Sequence, residues 1–324
     1  MKKIIHISCP ANSIEDLLNS NLASIRLRCG LIFNQFKAKN YLFDYSFDLL
    51  KKKQIDIFLV TKLSEYNLQN IFNEILIAKS NNTKIVVDYT DHILSNLTSK
   101  RSVVYQKIFS VADEAIVSSK LLKDHLNNFF KKKITVIEDC IEVPILKFSI
   151  KEKLTKSILW FGHLSNLKYL IKFLLNFKYS EKINFFILVN QPHVAKNSFI
   201  NNTFPSNFNI MIDEWSLDRQ LECSQICDIC IIPSDVNDER KNGVSSNRLL
   251  TALSMGLPTA ANKIDSYLEF KDFFTNIENF NNLLHLIENT NDYASVVDEA
   301  QKTILSKFKP EYLSNKWKLL FDSL

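Results

Sequence analysis

The sequence predicts an α/β protein built from two Rossmann-like domains, each a parallel sheet with helices on both faces. Short apolar segments alternate with helical patterns up to Ile137, and the same alternation begins again at Ile158. Strands that alternate with helices are typical of parallel sheets covered on both faces. The intervening stretch carries mixed charge and Pro144. We therefore expect one linker between domains 1–145 and 146–308, which face each other across a cleft.

In the first domain, the apolar spacing changes between the short period of a strand and the longer period of a helix. Ser118 and Ser119 precede a helical pattern and suit its start, because serine hydroxyls satisfy backbone N–H groups left free there. The predicted strands are 2–8, 41–43, 55–60, 84–88, 114–117 and 134–137. The predicted helices are 13–37, 67–80, 103–112 and 120–130.

In the second domain, strands and helices alternate up to residue 261, and only helical patterns follow. The predicted strands are 158–161, 183–189, 210–212, 229–232 and 257–261, with helices at 167–177, 217–226 and 248–255. Pro310 separates the last two helical patterns, 294–308 and 311–324, because proline cannot continue a helix that precedes it.

Composition and charge argue against several classes of protein. Lys and Arg number 40 and Asp and Glu 35, a net charge of +5 that is small for a dedicated nucleic-acid-binding protein. No apolar run approaches the roughly 20 residues that span a bilayer, and the N-terminal run is too short for a signal peptide. The six cysteines lack the spacing of a zinc site. We expect a cytoplasmic protein with no nucleic-acid partner.

Two runs of three lysines, 51–53 and 131–133, allow two interpretations. They are solvated helix ends or loops, or they contact an anionic membrane surface such as the cytoplasmic face of the inner membrane. The sequence leaves both open.

Residues 228–265 contain the strongest local signal for a ligand site. A strand ends at Pro233, a polar loop follows, and Ser245, Ser246 and Asn247 precede a helix that begins near Arg248. In open α/β sheets, ligands bind beyond the carboxyl ends of strands, and a helix N-terminus suits a phosphate or carboxylate. A serine-capped helix that follows a solvated loop is the alternative interpretation.

Four local strings carry a resemblance to a known family. They are WFGH at 160–163, ADEAIVSS at 112–119, SNRLL at 246–250 and GLP at 256–258. Together they resemble the GT-B class of nucleotide-sugar glycosyltransferases, over nearly the whole chain. The resemblance implies an acceptor-side first domain, a donor-binding second domain, and a C-terminal helix, 309–324, that crosses back to the first domain. It also implies that no metal cofactor is required.

The resemblance also suggests a donor. Many retaining GT-B enzymes place a Glu on the donor helix to bind the ribose, and Thr251 stands at that position here. The loop 233–235, followed by 243–248, is similar to bacterial transferases that move Kdo, an acidic eight-carbon sugar, from CMP-Kdo. This implies transfer with retention onto a surface glycan such as lipopolysaccharide O-antigen or capsule. A UDP- or GDP-sugar donor is the alternative.

We expect the donor to lie between the end of the first strand of the second domain and the start of the donor helix. His163 is a candidate phosphate donor or acid. Asp235 is the candidate catalytic carboxylate, as a nucleophile or as a stabiliser of an oxocarbenium-like transition state, unless it is a solvated loop residue. The expected donor contacts are Gly162, His163, Ser234, Gly243, Ser245, Ser246, Asn247, Arg248 and Thr251.

Residues of the first domain are candidates for the acceptor side. Arg26 and Arg28 are expected to bind a sugar carboxylate or the acceptor, since guanidinium binds carboxylates through two hydrogen bonds, or they are surface charges. Asp88 and Asp91 end a strand and are candidates for the base that removes the acceptor proton, or for a capping role. The acidic stretch 138–142 is a weaker candidate.

The fold does not fix the reaction, so two other functions stay open. One is a GT-B-like epimerase or phosphorylase, which shares the fold and not the glycosyl transfer. The other is a non-catalytic glycan-binding protein, which the absence of the donor-helix Glu allows.

Overall fold

The structure, a computed structural model, describes residues 2–9, 11–36, 41–45, 54–63, 68, 70–151, 153–238, 241 and 243–324. The predicted lysine run at 51–53 lies outside these residues. In the part of the chain that is described, no helix is long and apolar enough to cross a bilayer. The chain divides into two compact units. Unit 1 comprises Met1–Glu142, Asp238–Ser245 and Lys307–Leu324, and unit 2 comprises Val143–Asn237 and Ser246–Ser306.

Unit 1 contains a six-stranded parallel sheet in the order β2-β1-β3-β4-β5-β6. Its strands are β1 (Lys3–Ile7), β2 (Tyr41–Asp44), β3 (Ile57–Val60), β4 (Lys84–Tyr89), β5 (Glu114–Val117) and β6 (Ile134–Val136). Its helices are α1 (Ile14–Leu18), α2 (Ala23–Ile25), α3 (Leu31–Asn34), α4 (Ile71–Ser80), α5 (Lys100–Val111), α6 (Lys120–Leu126) and, from the C-terminus, α13 (Pro310–Ser323).

Both faces of this sheet are covered, as the sequence predicts. One apolar core joins the sheet to the N-terminal helical segments and α13, and Trp317 of α13 contacts Phe33 edge to face at 5.8 Å between ring centroids. The other core joins the sheet to α4, α5 and α6. Alternate side chains of the buried strands point to opposite faces, so a continuous apolar strand such as β3 serves both cores.

The single helix predicted at 13–37 is wrong. Ser13 caps α1, which ends at Leu18, and a second helical segment begins at Ala23. That segment contains a buried π-helical turn, Arg26–Gly30, between α2 and α3. The periodicity did not reveal the break, because apolar residues recur near helical spacing on both sides of it. The wider turn places both arginines inside the unit.

Arg28 is the centre of a buried ion cluster in unit 1. Its Nε and Nη2 donate to the Asp88 carboxylate at 2.8 and 2.6 Å, and its Nη1 donates to Asp139 Oδ1 at 2.9 Å and Ile137 O at 2.6 Å. The guanidinium also lies 5.6 Å from the centre of the Trp317 ring. Burial disfavours its charge, but the two carboxylates raise the pKa of Arg28 overall. The cluster joins the π-helical turn, the end of β4, the segment after β6, and α13.

Unit 2 contains a second six-stranded parallel sheet, in the order β12-β11-β10-β7-β8-β9. Its strands are β7 (Lys156–Gly162), β8 (Ile183–Val189), β9 (Phe208–Glu214), β10 (Ile229–Ile232), β11 (Thr259–Ala261) and β12 (Thr275–Asn276). Its helices are α7 (Leu167–Asn176), α8 (Pro192–Ile200), α9 (Leu217–Ile226), α10 (Asn247–Ser254), α11 (Phe280–Glu288) and α12 (Ala294–Thr303). The sequence analysis missed α8 and the two-residue strand β12.

The loop 238–245 is the main difference between these units and the predicted domains. Ser119 Oγ donates to the carbonyl oxygen of Gly243 at 3.0 Å, while it also accepts from Leu122 N. Gly243 has φ +83°, and a Cβ on it would lie 3.2 Å from Leu122 Cβ. This packing places the loop in unit 1, although the sequence prediction assigned it to the second domain.

We expect Arg28→Ala to lower the free energy of unfolding of unit 1 by about 3–5 kcal/mol, because it leaves two carboxylates buried without their partner. Lys316→Ala is the matched control, since its pair with Glu138 is about one third exposed and should contribute less than about 1 kcal/mol. Urea unfolding followed by Trp317 fluorescence, in a variant that lacks the other two tryptophans, measures both changes. Equal losses in the two variants would contradict this interpretation of the cluster.

Candidate functional site

In the sheet of unit 2, the direction in which successive strands are added reverses between β7 and β10. The chain passes from β7 outward to β8 and β9, then returns to place β10 on the other side of β7. Ligands of open α/β folds bind beyond the carboxyl ends of the strands at such a switch point. The residues that follow β7 and β10, together with the start of α10, therefore form the candidate site of unit 2.

Arg248, in the first turn of α10, reaches the end of β7. Its guanidinium carbon lies 5.3 Å from the centre of the Trp160 ring and 5.8 Å from that of Phe161. A Cβ on Gly162 would lie 3.2 Å from the same carbon, so glycine leaves room for the guanidinium. The structure thus brings together two parts of the predicted donor site, the loop after β7 and the donor helix.

Arg248 is partly buried, and two of its three guanidinium nitrogens are shielded from solvent. Its Nε and Nη2 are inaccessible to solvent and have no hydrogen-bond partner among the described residues. Burial lowers the pKa of Arg248, against the weaker opposing effects of Tyr267 and Cys230. An unpaired buried charge is costly, so this site gains stability when an anion binds beside Arg248.

His163 follows Gly162 and has a defined hydrogen-bonding role. Its Nδ1 accepts from the Ser165 backbone N–H at 3.2 Å, which caps a 3-10 turn at Leu164–Asn166, and it lies 2.9 Å from Ser165 Oγ. In the neutral ring the proton is therefore on Nε2. The ring is exposed, so Nε2 is a hydrogen-bond donor suited to a phosphate oxygen.

The start of α10 differs from the predicted serine cap. Ser246 occupies the N-cap position, but its side chain makes no capping hydrogen bond. Ser is preferred at an N-cap because its hydroxyl satisfies one of the first N–H groups of the helix, and Ser246 does not do so here. Asn247 is the first residue of the helix, and Ser245 belongs to the loop grouped with unit 1. A helix N-terminus is in general a favourable place for an anion, and this one lies at the switch point of the sheet.

Asp235 lies three residues after β10 and is partly exposed. Its Oδ1 accepts from the Asn237 backbone N–H at 3.0 Å, which makes a local turn. The preceding residue is fixed more firmly, because Ser234 N donates to Asn262 Oδ1 at 2.7 Å and Asn262 Nδ2 donates to Glu278 at 2.9 Å. The sequence analysis did not identify Asn262. Its position directly after β11, the strand beside β10, would have been a reason to consider it.

Two other predicted donor residues lie away from solvent. Thr251 is buried on α10 and carries no charge, so it cannot provide the carboxylate that binds ribose in many GT-B enzymes. Gly243 is also buried, against Leu122, and its carbonyl oxygen is bound by Ser119. The geometry therefore gives Gly243 a structural role in place of the predicted donor contact.

Of the four candidates in the first domain, Arg28 and Asp88 require correction. They bind each other in the buried cluster, at 0% and 2% side-chain exposure, so neither can contact an acceptor or act as its base. Arg26 is bound to both carboxylate oxygens of Glu142 and donates to Ser20 O. Asp91 is 40% exposed and pairs with Lys62 at 2.7 Å, so it stays accessible at the end of β4.

In the described part of the chain, no group of three His, Cys, Asp or Glu side chains is placed to hold a metal ion. All six cysteines are buried. Burial raises the pKa of Cys230 to about 12 and that of Cys9 to about 12, so these thiols stay protonated at neutral pH.

The fold is similar to solved glycosyltransferase structures. HepE of Anabaena, solved with UDP, gives a TM-score of 0.66 at 12% identity over 100% of both chains. An α-glucosyltransferase, solved with UDP and a 13-mer DNA, gives 0.65 at 12% identity over 99% of both chains. TarM gives 0.60 at 15% identity, over 85% of this chain and 57% of TarM. These likenesses confirm the GT-B fold predicted from the sequence.

At the level of sequence, no protein-family model matches the chain, and no curated protein matches it significantly. The likeness to known proteins is therefore one of fold.

We expect Arg248→Met to stabilise the ligand-free protein or leave its melting temperature unchanged, because methionine keeps apolar contact with Trp160 and removes a partly buried charge. Inorganic pyrophosphate should raise the melting temperature of the wild type and not that of the variant. Arg219→Met is the control, since Arg219 is exposed and paired with Asp213. A ligand-free Arg248→Met protein that melts far below the wild type would show that the guanidinium is already neutralised.

Proposed function

We propose that this protein is a glycosyltransferase that moves a sugar from a nucleotide-linked donor to a glycan. The observation that carries the proposal is the partly buried Arg248 at the switch point of a GT-B fold, since its Nε and Nη2 are shielded from solvent and have no hydrogen-bond partner among the described residues. A donor phosphate beside it would accept from Arg248, from backbone N–H groups at the start of α10, and from His163. Donors held in place around a leaving phosphate favour the charge that develops on it.

For the donor, we propose CMP-Kdo, as the sequence indicates. Thr251 supplies no carboxylate for a ribose, which distinguishes this site from the common nucleoside-diphosphate-sugar pattern. A UDP-sugar is the second candidate, supported by the likeness to HepE and to an α-glucosyltransferase, both of which were solved with UDP. The acceptor is a bacterial surface glycan, such as lipopolysaccharide O-antigen or capsule, at the cytoplasmic face of the inner membrane.

For the reaction, we propose a double displacement with retention at Asp235. The carboxylate attacks the anomeric carbon while the bond to the donor phosphate oxygen breaks. The acceptor hydroxyl then displaces Asp235 and gives its proton to a base. Asp91 is the candidate base, because it is the one of the two predicted bases that is accessible.

A nucleotide panel tests the donor. Differential scanning fluorimetry with CMP, UDP and GDP should show the largest stabilisation with CMP, and a ligand at 100 times its Kd adds about 2.7 kcal/mol. Arg248→Met should lose most of this stabilisation. Tight binding of UDP without CMP would replace the Kdo proposal with the UDP-sugar alternative. If no nucleotide stabilises the wild type, the glycosyltransferase proposal fails.

Asp235→Asn tests the reaction. The amide keeps the shape and removes the charge, so nucleotide affinity should change little while turnover falls by orders of magnitude, on the order of 10³-fold. Asp238→Asn, in the same loop, is the control and should cost little. Mass spectrometry detects the new glycosidic bond, and NMR gives the anomeric configuration. Near-normal transfer by Asp235→Asn, or an inverted product, would exclude this role, and isomerised donor without a new bond would indicate an epimerase.

A further inference from the structure

The two units differ in net charge. The segments of unit 1 contain 26 Lys and Arg against 19 Asp and Glu, a net charge of +7, whereas those of unit 2 contain 14 against 16, a net charge of −2. The net charge of +5 therefore comes from unit 1 alone. A charge excess of one sign on one unit attracts partners of the opposite sign.

Part of this charge lies on the helical layer formed by α4, α5 and α6. These helices pack on one face of the sheet of unit 1 through residues such as Ile75, Ile108 and Leu122. The opposite sides of α5 and α6 are exposed and carry basic residues. The exposed basic residues of this surface, here called the outer surface, are Lys100, Lys107, Lys120 and the run 131–133.

Large apolar side chains are exposed on the same outer surface. They are 39–47% exposed and comprise Leu76, Ile77, Leu97, Val103 and Phe129. On α5, Lys100, Val103 and Lys107 follow one another at helical spacing, so apolar and basic groups share one stripe. Phe109 and Phe130, 5.4 Å apart, hold the segment that carries Phe129 against α5.

Acidic groups on the outer surface are few, and two of the four are paired with lysines. Asp113 pairs with Lys79 at 2.6 Å, and Glu114 is buried and pairs with Lys133 at 3.0 Å. Glu74 is half-buried, and burial raises its pKa. Asp124 is exposed on α6. The outer surface therefore has a positive net charge.

We infer that this outer surface binds an anionic lipid bilayer. Each basic residue near an anionic membrane is attracted to it, and exposed apolar side chains enter the boundary between headgroups and acyl chains. Nucleic acid or an anionic polysaccharide would use the lysines but has no place for Leu76, Ile77 and Val103. The combination of both kinds of side chain favours the bilayer over such a polyanion.

Vesicle co-sedimentation of the full chain tests the inference. The protein should sediment with vesicles of 70% phosphatidylcholine and 30% phosphatidylglycerol, less with rising salt, and not with pure phosphatidylcholine. Lys100→Glu/Lys107→Glu should weaken binding about tenfold or more. Leu76→Ser/Ile77→Ser should also weaken it, by about tenfold, since it removes two apolar side chains and no charge. Lys178→Glu/Lys182→Glu, exposed on unit 2, is the charge-matched control and should bind as the wild type does.

Three results would overturn the inference. They are no sedimentation of the wild type with anionic vesicles, equal weakening by the control variant, and wild-type binding by Leu76→Ser/Ile77→Ser. The last result would show that the lysines bind any polyanion. All substituted residues are exposed, and equal melting temperatures will show that the variants are folded.

Discussion

The ion cluster around Arg28 is the interaction on which unit 1 depends. A guanidinium at 0% side-chain exposure is tolerated only because two carboxylates and a backbone carbonyl surround it. These partners come from segments far apart in the sequence, and Trp317 from the last helix covers the guanidinium. The cluster therefore fixes how the start, the middle and the end of the chain pack together in unit 1. Apolar contacts alone would define this geometry less specifically.

The contrast with Arg248 separates structure from function. The guanidinium of Arg28 is fully buried and Arg248 is partly buried. The donors of Arg28 are satisfied within the protein, whereas Nε and Nη2 of Arg248 have no partner among the described residues. The first arrangement stabilises the fold without a ligand. The arrangement around Arg248 leaves an unfavourable electrostatic free energy that a bound anion would reduce. It lies at the point of the fold where ligands bind. Burial alone does not identify a functional arginine. What distinguishes the two is whether the guanidinium nitrogens have hydrogen-bond partners within the protein.

The candidate site consists of side chains held by neighbouring strands. Asn262, after β11, holds the loop after β10, and Asn190, after β8, accepts from Leu164 N in the turn after β7. The loops after β7 and β10 are thus each held by an amide that follows a neighbouring strand. This arrangement preorganises His163 and Ser234, so the site needs little rearrangement to bind a ligand.

The sequence by itself determined the fold class, the start of the second domain and most strands, because parallel-sheet strands and their helices leave apolar patterns that depend on near neighbours. It also placed Gly162 and Arg248 in one site, through local strings. Only the tertiary structure decided which charged residues are paired. Arg28 and Asp88 are residue types common in binding sites, and they are 60 residues apart in the sequence. Their pairing depends on a π-helical turn that the apolar spacing does not show. Likewise, Gly243 packs on α6 through a contact 124 residues away. Long-range partners of polar groups depend on the complete packing, so the local sequence does not reveal them.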